Sequence, residues 1–201
     1  MKVQTRLKNN FLVRTLYSAY KNYFDFSKFG YFAPNALILP PHWLDKKRNI
    51  YISEGSSIGA KSYISAYNAK FIVKKNCAIA EGLTVHTGNH ARIIGKFITD
   101  ITEDIKPQGY DKDVIVEEDC WIGCNVTLLA GVKVGRGSTI AAGAVVNKNI
   151  PPYCIAGGIP AKVIKFYWTC EEILEHEEKL YPLEERYTRK QLEEIISKYG
   201  K

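Results

Sequence analysis

The run HTGNHA, residues 86–91, contains two histidines that could do acid–base chemistry. A neutral imidazole has an ordinary pKa of about 6.5 and can take the proton from an attacking hydroxyl, which typically accelerates a reaction by about 10²–10⁴-fold. His86 directly follows the aliphatic Val85, so alternation predicts that it points to the outside of the fold. The run therefore predicts a general base at His90 or at His86. If His90 is the base, His86 either orients it or has no role in the chemistry.

The other histidines and the cysteines give weaker signals. His42 and His176 lie outside the repeated part of the chain and are interpreted as structural. The five cysteines are an odd number with no C-x-x-C pair, so neither a disulfide framework nor a zinc ribbon is expected. Cys124 would need a lowered pKa and a nearby base to act as a nucleophile, which makes covalent catalysis a less favoured alternative.

The formal net charge of +7 favours acidic partners, a class that includes nucleic acid, anionic membranes and phosphate-bearing cofactors. Basic residues are concentrated in positions 1–30, where Asp25 is the one acidic residue. The pattern of residues 10–24 predicts an amphipathic helix, which would either pack on the rest of the protein or rest on an anionic membrane surface. The chain has no apolar run of about 18 residues and no secretory signal after its basic start, so a cytoplasmic protein is expected.

A six-residue repeat predicts the elements that must position the histidines. Gly and Asn recur between the repeated positions, and no helix keeps residues six apart on one face, so each hexad is interpreted as one side of a triangular coil of about 18 residues. The aliphatic residues would point inward, and Val116 would stack on Val134, Ile122 on Ile140, and Leu128 on Val146. The repeated aliphatic positions are Val116, Ile122, Leu128, Val134, Ile140 and Val146.

The earlier part of the chain shows the same repeat with interruptions. Ile52, Ile58 and Ile64 form one run, and three extra residues separate it from a second run at Val73, Ile79 and Val85. The 30 residues that follow break the period, and so long a loop in a compact solenoid is usually functional. Two capping boxes, Thr169-x-x-Glu172 and Thr188-x-x-Gln191, predict C-terminal helices that end at Pro182 and Gly200.

These patterns predict a mainly β protein with three parts. Residues 1–49 would form an N-terminal helical or irregular cap. Residues 50–166 would form a parallel β-helix with an inserted loop at about 86–115, and residues 167–201 a C-terminal helical extension.

The hexads, the run HTGNHA, the stretch CWIGCNVTLLAGVKVGRGSTIAAGAVVNKNIP (120–151) and PPYCIAGGIPAKVIK (151–165) resemble the hexapeptide-repeat acetyltransferases. Members of that family include galactoside, maltose and virginiamycin acetyltransferases and the O-acetyltransferases of capsule and lipopolysaccharide synthesis. The resemblance covers about residues 50–166. It implies a left-handed coil and a homotrimer with active sites between subunits. It also implies acetyl-CoA as co-substrate, no metal, no nucleic-acid partner, and a sugar hydroxyl of a surface polysaccharide as acceptor.

The resemblance also assigns roles to individual residues. His90 corresponds to the family's catalytic base, and Trp121 to a tryptophan near the reacting centre, although packing between coils or subunits is the alternative. The backbone N–H groups of Cys124 and Ala142 would donate to the thioester carbonyl and the pantetheine chain. Three lysines would meet the phosphates of coenzyme A: Lys148, Lys162 and Lys165. In the stretch PAKVIK (160–165), relatives often have arginine where this chain has lysine.

Relatives bind their sugar near the segment that contains Tyr67 and Asn68, and residues 96–113 would form a wall over the cleft. Several alternatives stay open. The acceptor could be an amine of an amino sugar or the hydroxyl of an antibiotic. A γ-type carbonic anhydrase uses the same prism but needs a third zinc ligand beside His86 and His90. A non-catalytic, glycan-binding scaffold is the last alternative.

Overall fold

The computed structural model describes residues 23–200 and shows a three-sided coil of parallel strands. Successive short strands join three sheets in turn, so each sheet forms one face of a prism. The strands in chain order are β1 (Tyr31–Phe32), β2 (Leu37–Ile38), β3 (His42–Asp45), β4 (Ile50–Ile52), β5 (Ser57–Ile58), β6 (Ser62–Ser65), β7 (Phe71–Val73), β8 (Ala78–Ile79), β9 (Thr84–His86), β10 (Val114–Val116), β11 (Trp121–Ile122), β12 (Thr127–Leu128), β13 (Lys133–Val134), β14 (Thr139–Ile140), β15 (Val145–Val146), β16 (Cys154–Gly157) and β17 (Lys162–Phe166).

The first face consists of β1, β4, β7, β10 and β13, and the third of β3, β6, β9, β12 and β15. The second face consists of β2, β5, β8, β11, β14 and β16, with β17 added as an antiparallel end strand. The chain runs from the first face to the second, then to the third, and back to the first. The corners between consecutive faces are called the 1–2 edge, the 2–3 edge and the 3–1 edge.

The predicted stacking of the hexads is confirmed. Val116 pairs in register with Val134, Ile122 with Ile140, and Leu128 with Val146, and all six side chains are fully buried. Inward-facing aliphatic residues of neighbouring coils thus form one continuous core, which no single coil could bury alone. The fold class is therefore a mainly β, left-handed parallel β-helix, for which the repeat predicted the stacked coils and the family resemblance implied the handedness.

The corners turn on residues in the left-handed backbone region. At the 2–3 edge Asn125 has a φ of 55° and Gly143, in the next coil, a φ of 71°. Gly and Asn reach this region at little cost, which explains why they recur between the hexads. The backbone N–H of Gly143 donates to the carbonyl of Cys124 (2.8 Å), so the stacked turns are also bonded to one another.

The β-helix begins earlier than the sequence analysis predicted. Strands β1 to β3 form a complete coil over residues 31–45 and pair with β4, β5 and β6, so residues 31–49 are not a separate cap. The hexad signal is present there, because Phe32, Ile38 and Leu44 are six apart, but aromatic and exposed residues around them obscure it. The helix predicted for residues 10–24 falls almost wholly outside the described residues.

All interruptions of the repeat fall at the 3–1 edge. The step from Leu44 to Ile52 is two residues too long, and the step from Ile64 to Val73 three residues too long. The long loop between β9 and β10, residues 87–113, leaves and re-enters the coil at the same edge and contains a 3₁₀ turn at Ile98–Asp100. The other two edges keep a regular period, so the irregular structure of the prism is concentrated along one line.

Two helices follow the prism, α1 (Cys170–Leu180) and α2 (Arg189–Tyr199), with a 3₁₀ turn at Leu183–Glu185 between them. Both predicted capping boxes are confirmed, since the Thr169 and Thr188 side chains accept from the backbone N–H groups of Glu172 and Gln191. Shorter 3₁₀ turns also occur at Phe26–Lys28 and Lys47–Asn49. Within residues 23–200, no helix has the length and apolar character needed to cross a bilayer.

The C-terminal helices cover the 1–2 edge through a small core of their own. Tyr153 occupies a corner position with a φ of 57°, where other coils have Gly, Asn or Asp, and its buried ring packs near Ile173 and Leu192. Its hydroxyl donates to the carboxylate of Glu177, which is fully buried and also bonded to Arg136 (3.2 Å to each oxygen). The extension is therefore an integral part of the fold.

Candidate active site

A cavity of about 430 Å³ lies at the 3–1 edge, where the repeat is interrupted. The long loop 87–113 supplies one wall, and the three extra residues after β6 supply the other. Its lining includes both histidines of the HTGNHA run and an array of charged and amide side chains: His86, His90, Asn68, Glu103, Lys106 and Asp111. The structure thus brings the two candidate bases together with residues from two distant segments of the chain.

The two histidines reach the cavity from different supports. His86 is the last residue of β9 and points outward, as alternation predicted, with its ring 5.6 Å from the ring of Tyr63. His90 follows on the loop and is exposed. An exposed imidazole that lines a cavity can meet a substrate hydroxyl, whereas His42 is buried and stacked on Tyr23. The geometry therefore keeps His86 and His90 as the acid–base candidates.

A carboxylate at the base of the loop organises the cavity. Asp111 accepts hydrogen bonds from the ammonium group of Lys106 (2.7 and 2.8 Å), the side-chain amide of Asn68 (3.0 Å) and the backbone N–H of Asn89 (2.9 Å). Asn68 also donates to Glu103 (2.6 Å). These five residues, Asn68, Asn89, Glu103, Lys106 and Asp111, are called the Asp111 network. Because the network joins both walls, it fixes the shape of the cavity.

The network predicts a pH dependence of stability. Burial alone would raise the pKa of Asp111, but the hydrogen bonds from Lys106 and Asn68 outweigh it and lower that pKa below its usual value. Burial would lower the pKa of Lys106, but its hydrogen bond to Asp111 outweighs this and raises it. A lowered carboxyl pKa stabilises the fold above the unfolded value of about 3.9, and a raised lysine pKa does so below about 10.4.

We expect Asp111→Asn to lower the free energy of unfolding by about 1–2 kcal/mol between pH 5 and 9. The difference from the unaltered protein should shrink as the pH falls from about 4 through the lowered pKa of the native Asp111, because the carboxylate is then protonated and loses the same interaction. Urea unfolding at a series of pH values measures this. A difference that stays constant down to pH 2.5 would show that the charge of Asp111 contributes nothing.

A second group of predicted residues lies at the 2–3 edge and on the second face. Cys124 and Ala142 occupy equivalent positions in stacked turns, one coil apart. Within residues 23–200, neither N–H group donates to a backbone carbonyl, so both are available to an incoming oxygen. Trp121, in the strand just before, points outward and is 58% exposed. These features fit the binding of a thioester carbonyl and an apolar chain.

The three predicted lysines are all exposed but are not in one place. Lys162 begins β17 opposite Gly157, at the 2–3 edge above Ala142. Lys165 lies on the second face in the same row as Ile155, Thr139 and Trp121. Lys148 follows β15 and lies at the 3–1 edge, in the coils above the histidine cavity. Lys162 and Lys165 can therefore meet a ligand that runs along Trp121 and Cys124, and Lys148 of the same chain cannot.

One chain does not bring the histidines and the backbone donors together. Gly82 lies at the 2–3 edge and Gly88 at the 3–1 edge, and the six residue steps from one to the other cross the whole third face, about 20 Å. His90 and the N–H groups of Cys124 and Ala142 thus lie at different corners of the prism. Neither group alone is a complete centre for acyl transfer.

The sequence does not single out Glu103, Lys106 and Asp111, although it predicts that residues 96–113 form a wall. The one sequence feature that points to them is the high density of charged residues in this long loop. That density does not show which of the side chains form ion pairs or hydrogen bonds with one another. In the described part of the chain, no three His, Cys, Asp or Glu side chains are grouped so as to hold a metal ion. A third zinc ligand beside His86 and His90 is therefore not found among residues 23–200.

Comparison with known proteins gives several matches. The family model for the bacterial transferase hexapeptide, with six repeats, matches residues 113–148. A probable macrolide acetyltransferase of Lysinibacillus sphaericus is 33% identical over 159 residues, which cover 66% of this chain and 85% of that protein. A galactoside O-acetyltransferase of Lactococcus lactis is 33% identical over 96 residues, 44% of this chain and 46% of that one. A Saccharomyces cerevisiae protein named as an acetyltransferase is 31% identical over 131 residues, 65% and 63% respectively.

The chain thus spans about half to two thirds of two of these relatives and most of the third. Among solved structures, a hexapeptide-repeat acetyltransferase of Vibrio cholerae in complex with acetyl-coenzyme A has a TM-score of 0.61 at 21% identity, covering 84% of this chain and 85% of that one. A galactoside acetyltransferase in complex with coenzyme A has a TM-score of 0.56 at 24% identity, covering 77% and 70%. Both likenesses extend over most of the prism.

Proposed function

Since the chain belongs to the hexapeptide-repeat acetyltransferases, we propose that it transfers an acetyl group from acetyl-coenzyme A to a sugar hydroxyl, with His90 as the general base. The observation that carries this proposal is the cavity at the 3–1 edge, which holds an exposed histidine among hydrogen-bonding side chains suited to a sugar. His90 rather than His86 is the base because it lies free on the loop, whereas His86 belongs to a strand and packs near Tyr63.

The reaction is a direct transfer between two bound substrates. The imidazole of His90 takes the proton of the acceptor hydroxyl while that oxygen bonds to the thioester carbon. The carbonyl oxygen becomes an oxyanion, and the N–H groups of Cys124 and Ala142 donate to it, which stabilises such a charge by a few kcal/mol each. The C–S bond then breaks, the thiolate takes the proton from the imidazolium, and the acetyl ester and coenzyme A leave.

This mechanism requires a second copy of the chain. His90 and the two backbone donors are a whole face apart in one prism, so a single reacting centre must combine the 3–1 edge of one protomer with the 2–3 edge of another. We infer a homotrimer, in which three such contacts close a ring. Trp121, 58% exposed on a lone prism, would then line the groove between protomers.

Lys162 is the residue proposed to contact the phosphates of coenzyme A most directly. Its ammonium group stands at the 2–3 edge, along the line from Cys124 through Ala142. We expect Lys162→Ala to raise the Kd for coenzyme A about fivefold to tenfold, or about 1 kcal/mol, and to weaken its salt dependence. The matched control is Lys179→Ala, because Lys179 is an exposed lysine on α1, away from that line. Equal affinities for both variants by calorimetry would remove Lys162 from the site.

The acceptor is proposed to be a sugar of a surface polysaccharide, and a macrolide hydroxyl is the second candidate. The relative named as a galactoside O-acetyltransferase supports a sugar, and the macrolide relative, of which this chain spans 85%, supports the other. The polar lining of the cavity favours a sugar, because amide and carboxylate groups hydrogen-bond to several hydroxyls. Five unpaired cysteines suit a reducing compartment, and we propose the cytoplasm.

Coenzyme A release from acetyl-CoA, measured with a thiol reagent, tests the function. The acceptor panel contains nitrophenyl galactosides and glucosides, N-acetylglucosamine oligosaccharides, free glucosamine and a macrolide. We expect turnover with at least one glycoside and an upward shift of Tm when coenzyme A is added. No release with any acceptor together with no shift in Tm would overturn the proposal in favour of a non-catalytic scaffold. A preference for glucosamine would indicate transfer to an amine instead.

A further inference from the structure

We propose that Asp111 is a positioning residue for the acetyl transfer, because its carboxylate holds the backbone that carries His90 against the wall of the cavity. The inference rests on the proposed function, since it assumes that His90 is the base. Asp111 lies 21 residues after His90, at the far end of the long loop, and the contacts between the two ends of that loop carry the argument.

The first contact is made directly beside His90. The backbone N–H of Asn89 donates to Oδ1 of Asp111 (2.9 Å), and Asn89 is the residue immediately before His90. The absence of a side chain at Gly88 leaves room for the Asp111 carboxylate, because a Cβ built at Gly88 would lie 3.3 Å from Oδ1 of Asp111. A side chain at residue 88 would therefore press on the carboxylate, whereas glycine lets the carboxylate approach the backbone.

Two further hydrogen bonds extend the contact. The side-chain amide of Asn89 donates to the carbonyl of Tyr110 (3.0 Å), and the backbone N–H of Lys112 donates to the carbonyl of Thr87 (2.9 Å). Thr87 and Asn89 are thus bonded to residues 110–112, and the long loop is closed at its base. His90 is the first residue beyond this closure, so its backbone position follows from it.

Asp111 is in turn held in place from the other side. The Lys106 ammonium group binds both carboxylate oxygens, and its side chain is only 10% exposed. The Asn68 amide, from the preceding coil, donates to Oδ2 (3.0 Å). With three donors around it, the carboxylate has little capacity left for a substrate, so Asp111 acts through His90. A base displaced by about 1 Å can lose about 100-fold in rate, which is why such a clamp affects catalysis.

A double-mutant cycle on kcat tests the positioning role. Coenzyme A release is measured with the nitrophenyl glycoside that gives the highest rate, and with water as acceptor. We expect Asp111→Ala to lower kcat about 10- to 100-fold, with the KM for acetyl-CoA unchanged within about twofold. In the His90→Ala background the same substitution should lower kcat by less than about twofold, since there is no base left to position.

The matched control is Asp113→Ala, which removes another carboxylate from the same end of the loop. Asp113 accepts from the backbone N–H of Lys70 (2.7 Å), and within residues 23–200 no hydrogen bond joins it to the segment that carries His90. Hydrogen exchange, which needs no acceptor, should rise in residues 86–92 for Asp111→Ala and stay unchanged there for Asp113→Ala. Asp111→Asn replaces Asp111→Ala in both experiments if the alanine variant does not fold.

The outcomes separate the two hypotheses. If His90→Ala retains most of the activity, the proposed function of His90 fails, and the exchange data alone still decide whether Asp111 holds the segment. If His90→Ala is inactive but Asp111→Ala lowers kcat by the same factor in both backgrounds, the positioning role is wrong. Unchanged exchange at 86–92 in both Asp111 variants also overturns it.

Discussion

Replacing His90 with alanine is expected to lower kcat for acetyl transfer at least about 100-fold, which is the largest change in activity that any single substitution in this chain should produce. The imidazole is the group proposed to take the proton of the acceptor hydroxyl, and without it that proton must go to water. The residue is exposed on a loop, so its removal should not affect the fold. Coenzyme A release and the Kd for acetyl-CoA together measure the effect, and the Kd should stay nearly unchanged.

His86→Ala is the matched control, because His86 lines the same cavity and differs in its support. We expect a loss of less than about tenfold, since His86 would at most orient His90 or the acceptor. If His86→Ala gave the larger loss and His90→Ala a small one, the roles of the two histidines would be exchanged. If neither variant lost activity, an acid–base role for this cavity would be refuted.

Replacing Glu177 with alanine is expected to lower the free energy of unfolding by about 3–5 kcal/mol, the largest change in stability predicted here. The carboxylate is fully buried and binds Arg136 (3.2 Å to both oxygens), the hydroxyl of Tyr153 and the backbone N–H of Tyr187 (3.0 Å). Its loss leaves an arginine that is 11% exposed without its principal counter-charge. Burial and the bond to Glu177 also raise the pKa of Tyr153, so that hydroxyl stays a donor.

Glu175→Ala is the control, because Glu175 lies on the same helix and pairs with Lys179 (2.5 Å), but both side chains are about two-thirds exposed. We expect a change below about 0.5 kcal/mol, as is usual for exposed pairs. Urea unfolding measures both variants. A loss of less than about 1 kcal/mol for Glu177→Ala would mean that helices α1 and α2 are held by Ile173 and Leu192 alone.

The position of the cluster around Glu177 gives the C-terminal extension a structural role. Arg136 comes from the corner before β14, and its guanidinium also lies 4.0 Å from the ring of Tyr181. The helices therefore bind the prism through a charged residue of one coil and Tyr153 of the next. Loss of Glu177 is expected to loosen this end of the fold while leaving the cavity at the 3–1 edge, on another corner, intact.

The interruptions of the repeat have a physical meaning that the structure makes clear. A hexad can be lengthened only at a corner, since an extra residue within a face would turn the aliphatic side chains out of the core. The extra residues after Leu44, Ile64 and Val85 all fall at the 3–1 edge, and two of these three insertions build the cavity. The six-residue period is visible in the sequence. The corner at which each interruption falls is known only when the first coil is identified, and that coil begins at residue 31 rather than at the predicted residue 50.

The sequence by itself determined the prism, the direction of its side chains and the caps of its C-terminal helices. These features are local and repeated: each hexad buries one aliphatic residue, and each capping box needs only residues three apart. The histidine run and the position of the long loop were equally readable, because both are departures from a regular pattern.

Only the tertiary structure decided which residues meet. Asn68 is 21 residues before Asn89, and Asn89 is 22 residues before Asp111. No periodicity relates these positions, so their contact depends on how the loop folds back. The same holds for Arg136 and Glu177, 41 residues apart. The assignment of His90 and Cys124 to different edges is likewise a property of the closed coil, because it follows from the number of faces between them and not from either residue's neighbours.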